Sequence, residues 1–261
     1  MRLFYRAYGE GVPLIMLHGL YASSDTWMGL VPALSRNFRL ILVDLRNHGR
    51  SPHSMQMSYA EMSNDVLELM DVLELKSAYL VGHSMGGKVA MRFALDYPER
   101  VLGLAIEDIS PLAYSVEHSN YWYHKTVVSA IQKLPLGQVR VRKDAEELLV
   151  AALGDVPMAK FLVKNLQQIN GTWRWLLNID ALATGLANLM DGIAANGKKV
   201  VYKPAVFIKG ADSAYIAPQD IPAISSIFPA SKLVVVDGAD HWVHIRQPQE
   251  FERILTNAFM C

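Results

Sequence analysis

The sequence predicts an α/β protein: a mostly parallel central sheet with helices on both faces, carrying a helical cap insertion. Short apolar runs alternate with longer helical stretches, the rhythm of repeated strand–helix units. The glycine-rich stretch Gly82-His83-Ser84-Met85-Gly86-Gly87 follows one apolar run and opens a helical one. From about 112 to 200 the rhythm stops, leaving a helical pattern rich in aromatic residues and no recognisable strand.

Taken in order, residues 3–8 suit an N-terminal edge strand. The runs at 14–17, 40–43, 78–81 and 101–106 are continuously apolar rather than alternating, as strands buried on both faces are. Helical patterns cover 58–75 and 87–97, and two further apolar runs, 205–208 and 233–236, precede a last helix at about 248–259. One α/β core is therefore expected from 1–111 and 201–261, with 112–200 as a helical cap or lid across the carboxyl edge of its sheet. No internal repeat, low-complexity segment or flexible linker divides it further.

Composition narrows the function classes. Of 261 residues 51% are hydrophobic and 19% charged, enough apolar side chain to bury a sizeable core. Lys plus Arg (25) balances Asp plus Glu (25), so there is no basic surplus for nucleic-acid phosphates or an anionic membrane. The single cysteine, Cys261, excludes a disulfide framework and a cysteine zinc site. No stretch approaches the roughly 18 apolar residues of a membrane span, and Met1 to Arg6 lacks the apolar core of a signal peptide. A cytoplasmic protein acting on a small molecule is expected, with neither a nucleic-acid nor a membrane partner.

The stretch around Ser84 satisfies G-x-S-x-G in the strand–turn–helix setting the motif requires. A sharp turn forces Ser84 into a strained conformation and lifts its hydroxyl to a helix N-terminus, where free N–H groups favour developing negative charge. The bland alternative is a serine that merely caps the helix. The same residues fit the phosphate loop G-x-x-x-x-G-K as far as Lys88, but Val89 stands where a magnesium-holding Ser or Thr is needed. Lys88 is thus expected to be an exposed helix residue.

A serine hydroxyl needs a base. His241, in Gly238-Ala239-Asp240-His241, follows the last strand and completes the chain order Ser…acid…His. Two carboxylates compete to orient it: Asp108 after the 101–106 run and Asp212 after the 205–208 run. Either could instead be a turn aspartate bonding its own backbone. The backbone N–H groups of Met85 and Leu20 are expected to form the oxyanion hole.

Together His18-Gly19-Leu20, Asp44 through Ser51, the turn at Ser84 and Gly238 to His241 resemble the α/β-hydrolase superfamily along nearly the whole chain. More narrowly, Arg46-Asn47-His48-Gly49-Arg50-Ser51-Pro52-His53-Ser54, Gly82 to Lys88 and Asp108-Ile109-Ser110-Pro111 look like the YbfF-like esterases, bacterial relatives of a mitochondrial abhydrolase group. The resemblance implies a cofactor-free serine esterase acting on short- to medium-chain esters, with acyl-CoA thioesters as further substrates. It matches Ser84 to the nucleophile, His241 to the base and Asp108 to the D-I-S-P acid. The family often has Asn where this chain has Asp212. A lactonase, carbon–carbon-bond hydrolase or perhydrolase would use the same residues, and a non-catalytic binding scaffold would share the fold. Trp122, Trp173 and Trp175 are expected to line an acyl pocket from the cap, or else to form the cap's own core. The cluster Arg140, Arg142 and Lys143 suits either a CoA phosphate or plain solvent.

Overall fold

In the computed structural model, which describes residues 1–114, 119–200 and 204–260, seven strands form one sheet in the order β1-β3-β2-β4-β5-β8-β9. They are β1 (Tyr5–Tyr8), β2 (Val12–Leu17), β3 (Phe38–Val43), β4 (Ala78–His83), β5 (Val101–Glu107), β8 (Ala205–Gly210) and β9 (Lys232–Val236). Only β1 runs antiparallel, against β3; every other neighbour pair is parallel.

Period-2 alternation divides the strand side chains between two cores. Ile15, Leu17, Ile41, Val43, Leu80 and Ile106 face α2 (Tyr59–Val72) and α3 (Met85–Asp96). Leu14, Met16, Leu40, Leu42, Val81 and Ala105 face Trp27, the short α1 (Val31–Leu34) and α10 (Pro248–Met260). Helices thus cover both faces, as the unbroken apolar runs require. Ser58 caps α2 by accepting from the Glu61 amide, which sets the helix start.

Between β5 and β8 lie α4 (Ser119–Lys133), α5 (Arg142–Leu153), α6 (Val156–Leu162) and α7 (Ile179–Met190). The expectation of no strand in this segment fails at one place. An antiparallel hairpin, β6 (Leu166–Ile169) with β7 (Thr172–Trp175), turns at Asn170-Gly171. Both turn residues have positive φ (50° and 77°), the geometry of the two-residue Asn-Gly turn that matches the twist of paired strands. Trp173 and Trp175 belong to this hairpin rather than to a helix. After β8 come α8 (Ile221–Ile227) and, following β9, the single turn α9 (Val243–Arg246).

Register brings the strands' carboxyl ends level: Leu17 pairs with Gly82, His83 with Glu107, and Glu107 with Ile208. The loops leaving β2, β4, β5, β8 and β9 therefore meet at one edge, where ligands bind in open parallel sheets. His118 and Cys261 lie outside the described residues.

Candidate active site

Ser84 stands between β4 and α3 with φ 51° and ψ −117°, a conformation side-chain-bearing residues rarely adopt. Its amide donates to Glu107 O at 3.0 Å, tying the turn to the neighbouring strand. The flanking glycines make the turn possible by close approach. A Cβ on Gly82 would lie 2.2 Å from Gly86 O, and one on Gly86 would lie 2.3 Å from Leu17 O. Ser84 precedes the helix but makes no side-chain cap bond, so the capping alternative has no geometric support. Met85 begins α3, which leaves its N–H without an intrahelical acceptor. Gly19 packs its backbone against Ser84, and Leu20 lines the same cavity as Ser84 and Met85. The residues expected to supply the oxyanion donors thus line the same cavity as the serine.

The imidazole partner is Asp108. It is fully buried, also at positive φ (49°), and its Oδ2 lies 2.8 Å from His241 Nδ1. Ser213 Oγ donates to the same oxygen, while the Gly210 amide donates to Oδ1 at 3.2 Å. A carboxylate at Nδ1 assigns the proton to that nitrogen and leaves Nε2 as the basic lone pair. Tyr215 stacks on the imidazole, centroids 3.8 Å apart and planes 20° from parallel, and fixes its tilt. Asp212 does not take part. Its side chain is exposed, and its amide donates to Ala239 O at 3.0 Å, so it shapes the loop after β8.

A second carboxylate–histidine pair sits beneath the first. Glu107 ends β5, so alternation points it away from Asp108. Both its oxygens lie 2.8 Å from His244 Nδ1, and Oε1 also accepts from the His244 amide at 2.8 Å. Glu107, the last residue of β5, and Asp108 just after it thereby hold His244 and His241, three residues apart in the chain. His83 fills the space between, its Nε2 donating to His241 O at 2.9 Å and its ring 4.6 Å from that of His241. Burial holds His83 well below the usual imidazole range, hence neutral.

A small cavity opens at Ser84. Leu20, Met85, Ile109, Leu189 and Met190 supply apolar wall, and Tyr59, Tyr114 and Tyr215 supply ring faces. The three tryptophans are not among the described residues that line it. Trp122 is exposed, with Lys125 Nζ 4.7 Å from its ring centre. Trp173 is half-buried on the hairpin beneath Arg142 and donates to Arg140 O, and Trp175 packs as a half-buried residue against the core. The expected basic cluster is likewise occupied in structure: Arg142 donates to Leu166 O and Lys143 pairs with Glu147.

Lys88 overturns its expectation as an exposed residue. It is 1% exposed, lines the Ser84 cavity and donates to Leu112 O and Asp191 O. Burial pushes its ammonium down to about 7. Tyr215 and His124 belong to no motif, yet both line the cavity, and burial brings the His124 imidazole down to about 4.

The Arg46–Ser54 stretch proves to be scaffolding. Arg46 forms a buried bidentate pair with Asp65, at 2.6 and 2.9 Å. Asn47 Oδ1 accepts from the Ser54 amide and from Asn178, whose side chain caps α7. His48 is wholly buried, which brings it down to about 3.

These neutral histidines set an acid limit on the fold. Below about 6.5 the unfolded chain takes up protons that folded His48 and His124 refuse, so stability falls with pH across about 6.5 to 4. Each contributes up to about 1.4 kcal/mol per pH unit in that window. Urea unfolding at pH 7 and pH 5 should show a loss of at least about 2 kcal/mol; equal stabilities would contradict the buried, neutral assignment.

The family model described as "alpha/beta hydrolase fold" matches residues 12–248. The sn-1-specific diacylglycerol lipase ABHD11 of Xenopus tropicalis is 35% identical over 259 residues, covering 97% of this chain and 79% of that relative. Esterase YbfF of Escherichia coli (strain K12) is 30% identical, covering 93% and 91%. A solved structure titled "Marine microorganism esterase" superposes with TM-score 0.95 at 40% identity, over 98% of this chain and 99% of the other.

Proposed function

The chain belongs to the α/β-hydrolase family and is a carboxylic ester hydrolase, and from that premise we propose that it cleaves short- to medium-chain esters through an acyl-enzyme built on Ser84, His241 and Asp108. The observation that carries this reading is the 2.8 Å contact between Asp108 and His241 Nδ1, which leaves Nε2 free to act as base. His241 Nε2 takes the Ser84 proton as Oγ bonds to the ester carbonyl carbon. The carbonyl electrons move onto oxygen, where the N–H groups of Leu20 and Met85 hold them. Collapse breaks the bond to the leaving oxygen, which receives the proton from His241 Nε2. Water then repeats the sequence on the acyl-enzyme and releases the acid. Asp108 stabilises the imidazolium.

The small cavity at Ser84 receives the acyl group in this reading. Residues 112–200 act as a cap on the core formed by 1–111 and 201–261. The same chemistry serves an acyl-CoA thioester, whose thiol leaves with less help from His241. Among the described residues no helix is long and apolar enough to cross a membrane, and a single cysteine fits work in a reducing cytoplasm.

A fluorophosphonate probe tests the reading directly, because only an activated serine reacts with it. One equivalent should attach, peptide mapping should place it on Ser84, and loss of p-nitrophenyl acetate turnover should track the labelling. Ester hydrolysis that persists in fully labelled protein, or a label on another residue, would overturn it.

A further inference from the structure

Lys88 is the fourth residue of the nucleophile helix, one turn from Ser84 on the same face. A buried ammonium is costly, and among the described residues no carboxylate pairs with it. Its acceptors are two main-chain carbonyls far apart in sequence: Leu112 O at 2.8 Å and Asp191 O at 2.5 Å. Leu112 lies where the chain departs from β5 toward the inserted segment. Asp191 follows the last residue of α7, where helix carbonyls lack intrahelical partners and the dipole is negative. The ring faces of Tyr114 and Tyr59 complete the ammonium's surroundings, at 4.8 and 5.7 Å.

The two stems of the inserted segment run side by side at this point. The Tyr114 amide donates to Met190 O and the Ile193 amide to Pro111 O, both at 2.7 Å. Tyr59, on α2, donates its hydroxyl to Leu189 O at 2.6 Å. Tyr114, Leu189 and Met190 are also walls of the Ser84 cavity, and so is Lys88 itself. The side chain that ties the stems to the nucleophile helix therefore also fixes the distance from Ser84 to the opposite wall. A leucine or methionine of similar volume would fill the space without the desolvation cost, but it would hold neither carbonyl.

We propose that Lys88 determines acyl-chain specificity as a strap: by holding both stems of the inserted segment against the nucleophile helix, it limits the Ser84 cavity to short acyl groups. This rests on the serine esterase reading given above. Lys88 is a positioning residue here, acting on the acyl group through Tyr114, Leu189 and Met190.

The test compares full-length wild type with Lys88→Met and Lys88→Gln on p-nitrophenyl acetate, butyrate and octanoate. Loss of the strap should raise the octanoate-to-acetate ratio of kcat/KM about tenfold, with the change carried mainly by KM. Lys88→Gln keeps a hydrogen-bonding end but lacks the reach and the charge, so it should move the ratio the same way if Lys88→Met fails to fold. A uniform fall for all three esters, or an unchanged ratio, would overturn the proposal and leave Lys88 a purely structural residue. Failure of the underlying reading looks different: fluorophosphonate would then not attach to Ser84, whereas failure of the strap alone leaves labelling intact.

Discussion

Replacing Ser84 with Ala should lower ester kcat by on the order of 10⁴ or more while leaving the fold intact. Removal of the nucleophile ends acyl-enzyme formation, and the surviving oxyanion donors support only a small fraction of the original rate. The substitution is clean because the hydroxyl makes no cap bond to α3, so the helix start loses nothing. Alanine keeps the Cβ, and the unusual φ of 51° is as strained for Ala as for Ser. Stability should therefore change by less than about 0.5 kcal/mol. KM, or the affinity for a product acid, should stay close to wild type, because the cavity walls are untouched. Retention of more than a few per cent of turnover, with the substitution verified by mass, would show that another group performs the attack.

The sheet and the nucleophile turn were readable from the chain because their determinants are local. Continuous apolar runs mean strands covered on both faces, and a serine between Gly82 and Gly86 after such a run has few other uses. The hairpin at Asn170-Gly171 was also locally encoded, but the surrounding helical pattern obscured a two-residue turn between Leu166–Ile169 and Thr172–Trp175. Other features depend on neighbours distant in sequence. Asp108 and Asp212 both follow strands, and choosing between them requires the side-by-side placement of β5 and β8. Asp108 N donates to Ile208 O, and at φ 49° its carboxylate reaches Gly210, Ser213 and His241 together. Lys88 could not be recognised as buried, since its carbonyl partners lie at positions 112 and 191. The tryptophans show the opposite error: aromatic content suggests a pocket, but only packing decides which pocket a ring faces.

Glu107 and His244 extend this point from recognition to mechanism. Neither belongs to a motif, but both Glu107 oxygens contact His244, which fixes the turn just after His241 to the end of β5, next to Asp108. In the proposed mechanism the orientation of His241 then depends on one strand end rather than on a loop. His83, held neutral by burial, packs against both histidine rings without adding charge beside the base. In the proposed mechanism this arrangement aligns His241 before substrate arrives, and a preorganised site gains its rate advantage there.

Replacing Asp108 with Asn should cost about 10³- to 10⁴-fold in kcat, and replacing Asp212 with Asn should cost less than about threefold. The first change is nearly isosteric, so packing around the buried side chain is preserved. Its effect is on the proton. Ser213 Oγ and the Gly210 amide already donate to this carboxylate, and an Asn amide set among them can turn its NH₂ group toward His241. Nδ1 would then become the acceptor, the ring proton would move to Nε2, and Ser84 would lose its base. The imidazolium would also lose a partner that stabilises it by charge. Asp212 offers no such route, because its exposed carboxylate makes no contact with the imidazole and only its amide supports the loop. Steady-state rates for both variants on one short ester, with the pH dependence of kcat, separate the roles. A loss in Asp212→Asn equal to that in Asp108→Asn, or near-wild-type turnover in Asp108→Asn, would remove Asp108 from the proton path.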